Sequence, residues 1–141
     1  MTVEVKAIGY VRTDAKTVPR HWSVSDVQGD LDILPDYAAG LKDITVGESI
    51  VVLFHFHLSP EFRSDNMFQT PPNRQEPRGV FSICSPIRPN PIGMSVVTVL
   101  AKQGGRIRVQ GIDMINGTPI LDIKPLITDH RDCPSSMPSD N

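Results

Sequence analysis

Arg88-Pro89-Asn90-Pro91-Ile92-Gly93-Met94-Ser95 holds a guanidinium and an amide on a backbone braced by two prolines. Proline fixes φ and removes a backbone donor. The residue before each proline, Arg88 and Asn90, is also pushed out of the α region. The loop is therefore stiff before any tertiary contact forms, and it presents two polar side chains. Arg88 suits bidentate contact with a phosphate or base edge, which lysine does poorly. The alternative for both residues is structural, satisfying neighbouring carbonyls and holding the loop's shape.

Further down the chain lie Gly111-Ile112-Asp113, Asn116-Gly117-Thr118-Pro119 and Ile120-Leu121-Asp122-Ile123-Lys124-Pro125. Asp113 stands where a strand meets a turn. It can hold a ligand, or cap the Asn116-Gly117 amides as an Asx-turn. Asp122 faces a cavity or forms a rim ion pair, with Lys124 or Arg88 as partner. An exposed pair of that kind contributes about 0–1 kcal/mol. His55 and His57 sit on one face of an apolar run if that run is a strand. A histidine there is more often a satisfied core residue than a ligand. Trp22 offers a flat ring for stacking, or a cap on the core. Cys84 reads as a small buried hydrophobe rather than a reactive thiol.

The elements that must position these residues are mostly strands. Val3 to Thr13 reads as one, with Val3, Val5, Ala7 and Val11 on one face and Glu4, Lys6 and Tyr10 on the other. Residues 14–30 are polar and irregular. Pro35 to Leu41 forms a short helix. Ile50 to Leu58 is apolar nearly throughout, like a strand covered on both faces. Residues 59–79 form a long proline-bearing loop, a length that is usually functional or disordered. Ser95 to Lys102 and Arg106 to Gln110 make a hairpin about Gly104-Gly105, and Asn116-Gly117 marks a type I′ turn before Ile120. The sum is mainly β: five to seven strands curled into a single-domain β-barrel over 1–133, with 134–141 a flexible tail.

The 141 residues are 39% hydrophobic and 21% charged, with a net charge of −2. This composition fits one globular domain with a real core. No apolar run reaches the ~18–20 residues that span a bilayer. Residues 1–6 have neither the basic start nor the apolar stretch of a secretory signal, so a cytoplasmic protein without a membrane partner is expected. Cys84 and Cys133 show no metal-ligand spacing, and no metal is expected. Between Glu61 and Arg88 four arginines face three acids. That is a weak electrostatic footprint for nucleic acid on one subunit. A dimer pooling arginines across a seam would strengthen it.

The two proline-bearing motifs resemble the TsaA-like, or TrmO, family. The resemblance extends to Ile8-Gly9-Tyr10-Val11-Arg12, to Leu34-Pro35-Asp36-Tyr37-Ala38-Ala39-Gly40-Leu41 and to Phe54-His55-Phe56-His57. It implies a dimerising β-barrel that uses S-adenosylmethionine to methylate N6 of the threonylcarbamoylated adenosine 3′ of the anticodon in tRNA. It carries cofactor contacts onto Arg20, His57 (rather than His55), Asp113, Met114, Ile115 and Asn116. The acceptor side would then fall to Arg88, Asn90, Asp122 and Lys124. Methyl transfer from a sulfonium is mainly a positioning problem, and positioning supplies roughly 7–11 kcal/mol. The attacking amine needs an acceptor for its N–H, and no strong base.

This sequence departs from the family at Ser82-Ile83-Cys84, where members commonly carry Ala-Thr-Arg. Leu126 replaces the usual aromatic. The extra C-terminal domain of longer bacterial members has no counterpart in these residues. Those differences leave room for a smaller methyl acceptor, or for a module that binds the cofactor without turnover.

Overall fold

A computed structural model describes residues 1–129. Six strands form the main sheet: β1 (Gly9–Arg12), β2 (Gln28–Ile33), β3 (Ser49–His55), β6 (Ile92–Gln103), β7 (Arg106–Gln110) and β8 (Pro119–Pro125). They pair antiparallel in the order β1-β2-β7-β6-β3-β8, and β8 returns to β1 through Gly9↔Ile120 and Tyr10↔Pro119, so the circuit closes. Two short strands, β4 (Phe68–Gln69) and β5 (Arg78–Gly79), pair separately inside the long loop.

Alternation decides what lies inside. Ile50, Val52 and Phe54 of β3, Val97 and Val99 of β6, and Ile107 and Val109 of β7 fill the interior with Val11, Leu31, Ile112 and Ile120. The outward residues differ between the two halves of the circuit. On β1, β2 and β7 they are charged: Asp32 meets Arg12 at 3.8 Å and Arg106 at 3.5 Å, and Asp30 meets Arg108 at 3.5 Å. On β3 and the first half of β6 they are mostly apolar. Val51 lies opposite Val96, Leu53 opposite Met94 and His55 opposite Ile92. Met94 is 54% exposed and Ile92 44%.

Several expectations change. The first strand is only Gly9–Arg12; Val3 and Val5 are exposed because residues 1–7 have no strand to pair with. Residues 28–30, the end of the segment expected to be irregular, belong instead to β2: Gly29, Leu31 and Ile33 point inward, and Asp30 and Asp32 find arginine partners outside. β3 buries one face, not two. It ends at His55, so His57 lies in the turn beyond and shares no strand face with His55. The long loop contains a 3₁₀ turn (Ser64–Asn66) as well as β4 and β5. Asn116-Gly117 has positive φ only at Gly117 (87°), the type II pattern rather than type I′. Pro35–Leu41 is helical as expected, of the 3₁₀ kind. Cys84 is exposed rather than buried. The proposed tail, and Cys133, fall outside the described residues.

β6 begins at Ile92, so the motif's Ile-Gly-Met-Ser is strand and only its front half is loop. The structure also explains the motif's glycine. Any Cβ at Gly93 would collide with the rings of Phe54 and Phe56. Those rings pack edge to face, with centroids 4.9 Å apart and planes at 76°. The bare backbone of Gly93 lets them close that end of the interior.

Candidate active site

The candidate site lies at the end of the closed sheet where β3 stops and β6 starts. The Phe56 N–H donates to the Pro91 carbonyl (2.8 Å), and the His57 N–H donates back to His55 (2.8 Å). This turn throws residues 56–60 outward. A mainly apolar cleft of about 250 Å³ results, lined by Phe56, His57, Leu58, Ser59, Pro60, Pro86 and Ile115. The Ser59 hydroxyl donates to the Pro86 carbonyl (2.9 Å) and ties two walls together. His57 and Ile115, far apart in sequence, thus share one cleft. The larger hollow, about 370 Å³ beside Arg74 and Arg78 on the long loop, is an open polar basin away from these residues.

Asp113 forms the polar part of this end. Gly111 (φ 107°) turns the chain out of β7, and the Gly111 and Ile112 N–H groups both donate to the Val27 carbonyl (3.0 Å each). Asp113 is left half-buried, and Ser95, fully buried on β6, donates its hydroxyl to Asp113 Oδ1. Burial pushes the carboxyl above its ordinary range. The Ser95 hydroxyl, the main-chain N–H groups of Asp113 and Trp22, and the nearby His21 ring pull it part of the way back. Asp113 is thus no Asx-turn cap. The Gly117 N–H donates instead to the Val11 carbonyl (2.8 Å).

The 3₁₀ turn Trp22–Val24 packs against β6 at this end. Ser25 anchors it through a hydroxyl bond to the Ile112 carbonyl. His21 caps the turn: its Nδ1 accepts from the Ser23 N–H (3.2 Å) and lies 2.7 Å from the Ser23 hydroxyl. Acceptance at Nδ1 assigns the proton of the neutral ring to Nε2. The Trp22 ring sits 4.8 Å from that of His21. Its Nε1 is buried and has no hydrogen-bond partner among the described residues. An indole nitrogen only donates. Leaving it unpaired costs about 1–3 kcal/mol.

The remaining expected residues divide. Met114 is 2% exposed and packs in the core, so only its backbone can meet a ligand. Asn116 is exposed, and its amide oxygen accepts from the Thr13 N–H (3.0 Å), pinning the turn to the end of β1. Arg20 is exposed, one residue before His21. Arg88 uses Nη1 to bond the carbonyls of Ile83 (3.0 Å) and Ser85 (3.1 Å), which is the loop-holding role. Its Nε and Nη2 have no partner among the described residues. The Asn90 carbonyl accepts from the Ile92 N–H (2.7 Å), and its side chain is exposed.

Asp122 and Lys124 do not face a cavity. They pair with each other at 3.1 Å, opposite Leu53 and Val51 on the outer face. A register shift near Leu121 carries them there. Ser95 and His21 escaped the sequence reading. The signal for Ser95 was a hydroxyl in the inward row Gly93, Ser95, Val97, Val99. His21 gave no signal beyond its place before Trp22. No group of three His, Cys, Asp or Glu side chains among the described residues could hold a metal.

A family model for the tRNA-methyltransferase O N-terminal domain matches residues 10–133. A probable S-adenosyl-L-methionine-binding protein of Pyrococcus abyssi is 36% identical over 115 residues, 81% of this chain and 61% of its own length. The tRNA (adenine(37)-N6)-methyltransferase of Rattus norvegicus is 42% identical over 86 residues, 61% of this chain and 20% of that protein. The crystal structure of TrmO from Pseudomonas aeruginosa superposes with a TM-score of 0.72 at 32% identity, covering 98% of this chain and 60% of that one. The chain therefore spans about three-fifths of the archaeal relative and of the solved structure. With motifs, strand order and family model in agreement, this chain belongs to the tRNA-methyltransferase O N-terminal domain family.

Proposed function

We propose that this protein is an S-adenosylmethionine-dependent methyltransferase that acts on N6 of the (threonylcarbamoyl)adenosine 3′ of the anticodon in tRNA. The observation that carries the reading is the end of the closed sheet, which we read as the family's β-barrel. An apolar cleft with His57 and Ile115 lies at the same end of the sheet as the half-buried Asp113 carboxyl, which the Ser95 hydroxyl at the start of β6 holds. Such a site suits a ligand with an aromatic base at one end and charged groups at the other. When bound, S-adenosylmethionine supplies the activated methyl group. Asp113 offers the negative charge that a cationic ligand needs, Phe56 and Ile115 exclude water, and the Met114 backbone completes the wall.

On the acceptor side, the exposed Asn90 amide provides an oxygen for the amine N–H. The free edge of Arg88 provides a fork for a phosphate. Asp122 and Lys124 lie on the apolar outer face, so they take part only if a second copy brings that face to its own site. A homodimer across β3 and β6 is the matching assembly, and it pools the arginines that one subunit carries thinly. Such an enzyme works in the cytoplasm, with tRNA; no helix among the described residues is long and apolar enough to cross a membrane.

The test is incubation with methyl-labelled S-adenosylmethionine and total tRNA, followed by nucleoside analysis. Label in N6-methylated threonylcarbamoyladenosine is expected. Label confined to small metabolites would replace tRNA with a smaller acceptor, the reading that the Ser82-Ile83-Cys84 departure favours. Binding without transfer to anything would leave a cofactor-binding module.

A further inference from the structure

The long loop exposes aromatic rings that a folded chain usually hides. Phe68 on β4 is 68% exposed, and Phe81, two residues past β5, is 78% exposed. Neither ring stacks on another aromatic among the described residues. Alternation along the ribbon sets the direction of Phe68. Its neighbour Gln69 points the other way and ties the ribbon down, donating its amide to the carbonyls of Asn66 (2.7 Å) and Ile87 (2.9 Å). Phe68 is left on the free face, opposite Gly79, where an added Cβ would meet nothing within 4 Å. A flat group can lie in that open space.

The tip of the same ribbon supplies cations. Arg74 and Arg78 line the polar basin with Glu76. Both arginines are exposed, and neither forms an ion pair with a described residue. Ile87, which Gln69 grips, adjoins Arg88, so the ribbon is fastened to the proline-braced loop. Two guanidiniums against one carboxylate make a weak field, and stacking must supply much of any affinity. A paired RNA helix offers phosphates but hides its base faces, whereas a single-stranded loop offers both. A protein partner would need an apolar surround for the rings, and the residues lining the basin are all polar.

We infer that the β4–β5 ribbon receives the single-stranded loop of the RNA substrate: unstacked bases lie on Phe68 and Phe81, and Arg74 and Arg78 take phosphates. This rests on the tRNA reading above and names where that substrate is held.

The test measures binding of a labelled anticodon-arm stem-loop and of a fully paired RNA hairpin by fluorescence anisotropy. Phe68→Ala is expected to weaken the stem-loop roughly five- to hundred-fold and to leave the paired hairpin level. Phe68→Trp, which keeps a ring, should bind like the wild type. Arg74→Gln with Arg78→Gln should lower the salt dependence of log K by roughly 0.7 for each lost phosphate contact. S-adenosylhomocysteine affinity should stay level in every variant, which shows that the fold is intact.

Unchanged stem-loop affinity in Phe68→Ala would overturn the inference, as would equal weakening of both RNAs. A variant that binds RNA normally but self-associates less would give the rings to a second copy, and would overturn it too. If the wild type methylates tRNA while all these variants match it, the inference fails alone. If the wild type neither binds nor methylates tRNA, the substrate reading fails first and the surface assignment falls with it.

Discussion

At the scale of single residues, Asp113 is the most informative group, because it is a carboxyl placed where charge is costly. Burial raises its pKa, so the folded chain holds this proton more tightly than the unfolded chain does. Its contribution to stability therefore falls as pH rises from the ordinary carboxylate range through the raised value. Asp113→Asn should gain stability relative to the wild type across that window, seen as a difference in melting temperature that grows with pH and then levels. The same variant should lose affinity for the cationic cofactor. A native stability that instead rose relative to the variant would contradict the burial argument. Asp122 and Lys124 are the opposite case. Their pair is about half exposed, and each alanine substitution should change the stability of the monomer by no more than ~1 kcal/mol in urea titrations. Sequence made Asp113 visible because it interrupts an apolar stretch at a turn. Sequence could not show that Arg88 spends one nitrogen on its own loop, since that bond depends on how the loop folds back on Ile83 and Ser85.

At the scale of elements, the start of β6 does two jobs. Gly93 admits the Phe54 and Phe56 rings, and Ser95 two residues on holds Asp113. Gly93→Ala should destabilise by about 1–3 kcal/mol, because the rings above it must shift. Ligand binding should weaken with it, since Phe56 lines the cleft. A fully stable Gly93→Ala variant in denaturant titrations would refute this packing role. The hairpin β6-β7 was legible because glycine and strict alternation bracket it. β1 was over-read. Alternation from Val3 onward is a pattern without a pairing partner, and strands are stabilised by neighbours rather than by period alone. β2 was under-read because aspartates are uncommon in strands. Here Asp30 and Asp32 face outward toward arginines that sequence separates by about 75 positions.

At the scale of the whole molecule, the closed sheet has a charged outer half and an apolar one. The apolar run from Ile50 was read as a strand covered on both sides. The chain itself covers only one side, and Val51, Leu53, Val96, Met94 and Ile92 make the other an exposed apolar patch. Patches of that kind mark interaction sites. A run of apolar residues in sequence does not reveal whether the chain or a second copy does the covering. Leu53→Asp should convert the proposed dimer to monomer in sedimentation velocity. A wild type that sediments as a monomer at high micromolar concentration would remove the dimer from the account.

The most direct measurement is a calorimetric titration of S-adenosylmethionine into the wild type and into Asp113→Asn. Saturable binding at one site per chain, weakened roughly ten-fold or more in the variant, is the predicted result. Binding of equal strength to both proteins, or none to the wild type, would contradict an Asp113-centred cofactor site.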